Sequence, residues 1–208
     1  MNGYDFDDTI LKGNSMGRFS LFCAVRLPYL IIFVPVLIVA ALLYVLHVIN
    51  RYRYLYLISL FVALVPHPDK FVAKFWDKNM KHVKHWYLEQ KRDDDLVLSA
   101  SPQFLAGEAC KRLGVTCIGT PLLTDGKLLG KQCYGAQKVE VYKEKLGDTP
   151  LETYYSDSLT DVPMFKLAKK GYFVSGEKVL LVYENGQELV PCKSKSQLRR
   201  YMRKQSKN

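Results

Sequence analysis

The sequence predicts an α/β fold: a mostly parallel sheet clothed by helices, split by an inserted apolar helical segment. Three observations carry this expectation. Short apolar runs of strand length alternate with helix-length segments from residue 92 onward, the alternation that builds parallel sheets. Asp5, Ser99 and Asp157 each follow or end such a run, where the functional loops of parallel sheets lie. Between Arg26 and Arg51 there are 24 consecutive residues without Asp, Glu, Lys or Arg, and Tyr54–Pro66 adds 13 more.

Residues 1–7 leave room only for a short strand, with Asp5 at its carboxyl end. Residues 19–65 form the apolar insertion, and Pro28 and Pro35 interrupt its first helix. Residues 69–91 have helical periodicity. Lys70, Lys74, Lys78, Lys81 and Lys84 share one arc, and Val72, Trp76, Met80, Val83 and Tyr87 share the other. An aromatic face opposed to a lysine face is the pattern of a helix lying in a membrane interface; a helix packed on its own core with solvated lysines is the alternative. Leu96–Leu98 is a strand, Pro102–Leu113 a helix stopped by Gly114, and Val115–Leu123 and Leu128–Leu129 are strands around a Thr-Asp-Gly-Lys turn. Lys138–Leu146 is a helix ending at Gly147, Leu151–Tyr155 a strand, Val162–Lys169 a helix and Tyr172–Val174 a strand. Val179–Tyr183 and Glu188–Val190 flank Glu-Asn-Gly as a hairpin. The chain thus divides into a discontinuous core, 1–18 with 92–208, and a helical cap, 19–91. The cap holds an apolar hairpin at about 27–66 and a basic amphipathic helix at about 69–91.

With 208 residues the chain has room for one domain and an insertion, and its formal net charge of +10 favours polyanions: nucleic acid, an anionic membrane or phosphorylated substrates. Five cysteines, without a Cys-x-x-Cys pair or zinc spacing, read as reduced packing thiols of a cytosolic domain. The four histidines are scattered, and His82 and His85 lack ligand-type partners. No cleavable leader is expected ahead of the acidic run at residues 5–8. Lys193–Asn208 carries seven Lys or Arg and no acid, either a solvated tail or a contact with anionic lipid.

The chemistry concentrates in Asp5-Phe-Asp7-Asp8-Thr9 and in Ser-Asp157-Ser-Leu-Thr-Asp161. Buried like charges are costly unless a proton or cation offsets them, so two acid pairs in one site point to a hard divalent metal with oxygen ligands. Asp157 and Asp161 as N-cap and first-turn acids are the plainer alternative. In order along the chain stand Asp5-Phe-Asp7-Asp8-Thr9, Leu-Val-Leu-Ser99-Ala-Ser-Pro, Cys-Tyr-Gly-Ala-Gln-Lys138 and Ser-Asp157-Ser-Leu-Thr-Asp161. These four signals resemble the motifs of the haloacid dehalogenase-like phosphatases over residues 1–12 and about 93–175. The Ser-Ala-Ser-Pro and Tyr-Gly-x-x-Lys contexts look most like the branch whose cap lies between the first two motifs, subfamily IB. Phosphoserine phosphatases and C-type phosphatidylglycerophosphatases belong there. Asp8 stands where many relatives have glycine.

The resemblance implies a Rossmann-like core and a role for each residue. Asp5 would be the nucleophile that forms an aspartyl-phosphate, and Asp7 the general acid and base. Ser99 would bind a phosphoryl oxygen, with Ser101 as runner-up. Lys138 would offset charge, with Lys127 and Lys131 as competitors. Mg²⁺ would be held by Asp5, the Asp7 carbonyl and Asp157, and by Asp161 directly or through water. The expected activity is hydrolysis of a membrane phospholipid monoester, phosphatidylglycerophosphate to phosphatidylglycerol. The alternatives are a phosphatase of a phosphoserine-like metabolite or of another lipid phosphate, merely anchored, and a non-catalytic membrane adaptor. The expected partner is an anionic lipid membrane rather than nucleic acid. The expected place is the cytoplasmic face of a bacterial-type inner membrane; oligomeric state is left open. The first apolar run is long enough to span, the second is short, and Arg51–Arg53 on a far side would oppose the positive-inside tendency. A kinked hairpin dipping into one leaflet is therefore expected, with a two-pass hairpin as the alternative.

Overall fold

The computed structural model describes residues 1–122, 130–191 and 194–205. Among these, one seven-stranded sheet runs β3 (Thr116–Thr120), β2 (Leu96–Pro102), β1 (Asn2–Tyr4), β4 (Thr153–Ser156), β5 (Lys170–Ser175), β6 (Lys178–Glu184), β7 (Gln187–Glu188). The first five are mutually parallel; β6 returns antiparallel to β5, and β7 antiparallel to β6 around Asn185–Gly186. Strand β1 has only three residues, yet it pairs on both sides: Tyr4 lies opposite Val97 and opposite Tyr155. From β1 the chain builds outward first to one side and then to the other. The carboxyl end of β1 is therefore the switch point of the sheet, the place where open α/β sheets hold ligands.

An aromatic ladder fixes the strands that flank this point. Tyr4, Tyr155 and Tyr172 stack across β1, β4 and β5, with ring centroids 4.8 and 4.7 Å apart. Trp86 closes on the same cluster at 5.5 Å from Tyr155. Such cross-strand aromatic pairs each add roughly 0.5–1.5 kcal/mol beyond their buried area.

The cap comprises α1 (Ser15–Arg26), a 3₁₀ turn (Pro28–Phe33), α2 (Val34–Val45), α3 (Arg51–Ala63), α4 (Pro68–Asn79), a second 3₁₀ turn (Met80–His82) and α5 (His85–Gln90). Pro28 and Pro35 interrupt the first apolar helix as their missing amide hydrogens require. Pro28–Val45 is apolar and long enough to cross a membrane by length and composition, with mean hydropathy 2.6 and 11% of it buried. The core helices are α6 (Gln103–Leu113), α7 (Gln137–Leu146), α8 (Val162–Leu167) and α9 (Lys195–Gln205). Gly114 ends α6 in a left-handed conformation at φ 71°, as its position after the last apolar residue forecast.

Two expectations are corrected. The helix expected over 69–91 is two helices, because Val83 leaves the spiral to bridge Leu11 of the catalytic loop; Lys12 N donates to His82 O and Lys84 N to Ile10 O. The break turns Lys84 off the solvated lysine arc and into the protein, where its ammonium donates to the Asp8 carbonyl. The aromatic face is not presented to a membrane either: Val72, Phe75, Trp76 and Tyr87 are buried, and Trp76 Nε1 donates to Leu105 O at 2.9 Å. That face packs α4 on α1 and α6, the packed-helix alternative, with roughly 1.5–3 kcal/mol per buried large side chain.

A third finding bears on the two-pass alternative for the hairpin, in which Arg51 would face the far side of a membrane. Instead its guanidinium lies 4.0 Å over the Tyr134 ring and donates to Ala100 O at 3.3 Å, beside a cavity lined by Asp5 and Asp157. Pro28–Phe33 and the end of α3 are joined by Tyr29 Oη donating to Leu64 O at 2.9 Å. The basic terminus is no solvated tail where it is described: Lys195–Gln205 is α9, which buries Leu198 and Met202 against the core. The Thr-Asp-Gly-Lys turn, Leu128–Leu129, Cys192 and Lys193 lie outside the described residues.

Candidate active site

Four elements deliver the motif side chains to one cavity of about 270 Å³ at the switch point. Asp5 follows β1 and is fixed by its amide, which donates to Tyr155 O at 2.8 Å. Ser99 and Ser101 come from β2, Lys138 from the first turn of α7, and Asp157 and Asp161 from the loop after β4. Thr9 ties the first and last of these together, its Oγ1 accepting from Asp157 N at 2.9 Å. The loop after Asp5 turns sharply through Asp8 at φ 57°, a left-handed residue. Aspartate tolerates that region when its side chain bonds locally, and Asp8 Oδ1 accepts from Gly13 N at 3.0 Å. The departure from glycine at position 8 is thereby accommodated.

Lys138 is the electrostatic centre. Its ammonium, with the side chain only 2% exposed, donates to Asp5 Oδ1 at 2.7 Å, Asp161 Oδ2 at 2.7 Å and Tyr154 Oη at 3.1 Å. Ser156 Oγ donates to the same Asp161 oxygen at 2.8 Å. Burial pushes Lys138 down, but the carboxylates of Asp161 and Asp5 push it up further, so it stays charged well above the ordinary lysine range. Asp161 thus serves Lys138 with one oxygen and has only its other oxygen for a metal. Burial pushes the Asp5 carboxyl up to about 7, against the pull of Lys138. Lys131, offered as a competitor of Lys138, pairs with Glu140 and Glu144 instead, and Lys127 lies outside the described residues.

Asp7 is held differently. Oδ1 accepts from Ser15 N at 2.7 Å, and Oδ2 accepts from Ser15 Oγ at 3.1 Å and from Ser101 Oγ. Burial raises this carboxyl, and the hydrogen bonds from Ser101 and Ser15 lower it by less, so it titrates above the usual carboxylate range. A carboxyl protonated more readily than usual is suited to donating a proton. Ser99 is fully buried and accepts from Ser101 N at 3.0 Å. The two serines of Ser-Ala-Ser therefore separate their tasks: Ser101 grips Asp7, while Ser99 stands at the cavity floor.

Among the described residues no three His, Cys, Asp or Glu side chains converge on one metal position. Magnesium does not require that. It is bound through one or two carboxylates, with waters and phosphate oxygens completing the octahedron. Asp5 and Asp157 bring two carboxylates to one cavity, with Asp7 lining it beside them. The carboxylates are neutralised by ammonium groups, Asp5 by Lys138 and Asp157 by Lys195 at 2.8 Å, which shows that the site calls for positive charge. The donor chemistry fits the ion.

A family model described as haloacid dehalogenase-like hydrolase matches residues 3–166. The chain belongs to the haloacid dehalogenase-like hydrolase family. Two solved structures share the fold of this hydrolase. A protein of unknown function from Bordetella pertussis Tohama I aligns with TM-score 0.70 at 15% identity, covering 82% of this chain and 87% of that one. A phosphoserine phosphohydrolase-like protein from Francisella tularensis subsp. tularensis SCHU S4 aligns with TM-score 0.56 at 16% identity, covering 82% and 86%. No curated protein matches the sequence. Within its family the hydrolase is of the phosphatase type: the paired acids, the serine and the lysine expected from sequence all line one cavity.

Sequence reasoning placed Asp5, Asp7, Ser99, Lys138, Asp157 and Asp161, and the structure brings all six together. It missed Ser15, Arg51, Tyr134, Tyr154 and Lys195. Ser15 carried a signal, since Asn14-Ser15 opens a helix directly after the catalytic loop, with Asn14 Oδ1 accepting from Gly17 N. Lys195 and Arg51 carried none, because both arrive from segments whose placement only the fold decides.

Proposed function

We propose that this hydrolase removes a phosphate monoester from a membrane phospholipid with the help of Mg²⁺, phosphatidylglycerophosphate to phosphatidylglycerol being the leading reaction. One observation carries the reading: the apolar cap walls the catalytic cavity and at the same time exposes a broad hydrophobic surface. Helix α3 contributes Leu55 and Ile58 to the cavity, and it leaves Tyr52, Tyr56 and Leu60 exposed. The Pro28–Phe33 turn adds Tyr29, Ile31, Phe33 and Ile32, the last 76% exposed. Contiguous apolar surface of this extent marks a membrane or partner contact. With Arg51 pinned to the core, the cap end at Pro28–Phe33 dips into one leaflet of the cytoplasmic membrane from the cytoplasmic side, and the net charge favours anionic lipid over nucleic acid in this setting.

The residues act as follows. A carboxylate oxygen of Asp5 attacks phosphorus while Lys138 offsets the charge on the acid and on the phosphoryl oxygens. Asp7, whose carboxyl is raised by burial, gives its proton to the departing alkoxide. Asp7 then takes a proton from the water that attacks phosphorus, and Asp5 is released as carboxylate with free phosphate. Ser99 donates to a phosphoryl oxygen. Magnesium, held by Asp5, the Asp7 carbonyl and Asp157, would supply charge neutralisation and orientation of the phosphoryl group.

A second reading has its own support. The fold likeness to the Francisella phosphoserine phosphohydrolase-like protein suits a phosphatase of a small phosphorylated metabolite, with the cap acting as an anchor only. One assay separates the two. The full chain with Mg²⁺ is offered phosphatidylglycerophosphate, phosphatidic acid, a polyprenyl phosphate and phosphoserine. Phosphate released from phosphatidylglycerophosphate supports the lipid reading; release from phosphoserine alone sinks it. Full turnover by an Asp5→Asn protein would remove Asp5 as nucleophile.

A further inference from the structure

The four motifs account for the chemistry at phosphorus, yet two more cations line the same cavity, and neither belongs to a motif. Arg51 begins α3 in the cap, and Lys195 begins α9 near the other end of the chain. The Arg51 guanidinium is held flat on Tyr134 and spends one terminal nitrogen on Ala100 O. Its Nε is buried without a hydrogen-bond partner. Leaving such a donor unpaired costs roughly 1–3 kcal/mol, a cost that a ligand oxygen would remove. A planar guanidinium suits an oxyanion, and the amide end of the 13-residue α3 adds positive potential at the same spot.

Lys195 completes the pair. Its ammonium sits 2.8 Å from Asp157 Oδ2, on a side chain 42% exposed and therefore able to move. With three N–H donors, that ammonium can keep its bond to Asp157 and still donate to a second anion. The same cavity also has apolar lining from Met16, Leu55 and Ile58, which suits a short carbon skeleton.

We propose that Arg51 and Lys195 form a second anion subsite beside the scissile phosphate, so that the preferred substrate carries two phosphate groups on one short backbone. The inference rests on the phosphatase reading of the cavity and narrows its substrate class: a monoester to be cleaved and a second phosphate, a diester in a lipid, that only binds. Phosphatidic acid, with a single phosphate, leaves the subsite unfilled.

The test is calorimetric titration of the full chain, in EDTA, with glycerol 1-phosphate and with glycerol 1,3-bisphosphate. The wild-type protein should bind the bisphosphate at least about 10-fold more tightly, and Arg51→Gln should cut that ratio to about 3-fold or less. Lys195→Gln should reduce it in the same direction, and Arg51→Lys should restore part of it. A wild-type ratio near one, or a ratio unchanged in both Gln variants, overturns the subsite. Turnover of glycerol 1,3-bisphosphate with Mg²⁺, measured in parallel, reports on the phosphatase reading separately. Hydrolysis without a binding preference removes the subsite alone, and a binding preference without hydrolysis removes the phosphatase reading alone.

Discussion

Replacing Lys138 by Met keeps the length of the side chain and deletes the one ammonium that joins Asp5 to Asp161. Asp5 stands at about 7 with Lys138 pulling it down, so about half of it is ionised at neutral pH. Losing an opposite charge at contact distance raises a carboxyl by a further ~1–3 pH units. The ionised fraction at pH 7 then falls to about 0.1–10%, a loss of about 5- to 500-fold in nucleophile alone. The missing charge on the transition state costs another ~10²–10³-fold, giving about 5 × 10²- to 5 × 10⁵-fold in kcat/KM. The assay is kcat/KM for the wild-type and variant proteins between pH 6 and 10 at fixed Mg²⁺. Raising the pH should recover the ionisation part of the loss and leave the rest. A loss under about 10-fold at pH 7, or a deficit that no alkaline pH reduces, would refute the reasoning. Stability gives an independent reading. An acid whose folded value exceeds its unfolded value contributes stability at low pH that is lost as pH rises through that window, here from about 4 to about 7 and higher in the variant. Lys138→Met should therefore lose more in Tm at pH 8 than at pH 5.5.

Three further outcomes are expected. Because Asp5 must shed its proton to hold a cation, apparent Mg²⁺ affinity measured by calorimetry should rise ~10-fold per pH unit up to about 7 and then flatten; a flat profile from pH 5.5 to 7.5 would contradict the role of Asp5. Ile32→Glu places a charge at an exposed tip residue, so Tm in detergent-free buffer should shift by less than ~0.5 kcal/mol equivalent while co-sedimentation with anionic vesicles falls ~100-fold. Vesicle binding that stays intact would exclude the tip from the membrane. At Gly171 an added Cβ would lie 2.6 Å from Phe165 Cβ and 2.9 Å from its Cα. Gly171→Ala should cost ~1–3 kcal/mol by thermal denaturation, and an unchanged Tm would mean that β5 and α8 separate more freely than their packing indicates.

The legible part of the fold was the part governed by local pattern. Strand β2 read as a continuous apolar run because both of its faces are covered, and α6 read cleanly because Gly114 stops it in a left-handed turn. The helix over 69–91 misled for a corresponding reason. Its periodicity is unbroken through Val83, and the break exists only because Leu11, distant in sequence, takes Val83 as a bridge partner. The same event buries Lys84, which no pattern of charges along a helix can reveal. An amphipathic face, likewise, does not say what covers it: the aromatic stripe of α4 meets α1 and α6 rather than lipid.

By itself the sequence singled out Asp5, Asp7, Ser99 and Lys138, through four ordered motifs and the family they resemble, and the structure brings them to one cavity. It also determined that the cap is apolar. Tertiary structure alone decided which way the cap points, that Arg51 returns to the cavity, that Ser101 grips Asp7, and that Lys195 lies on Asp157. The reason is physical. These contacts join residues 38 to 94 positions apart, and their energy depends on distances that only the packing of the sheet and the cap sets.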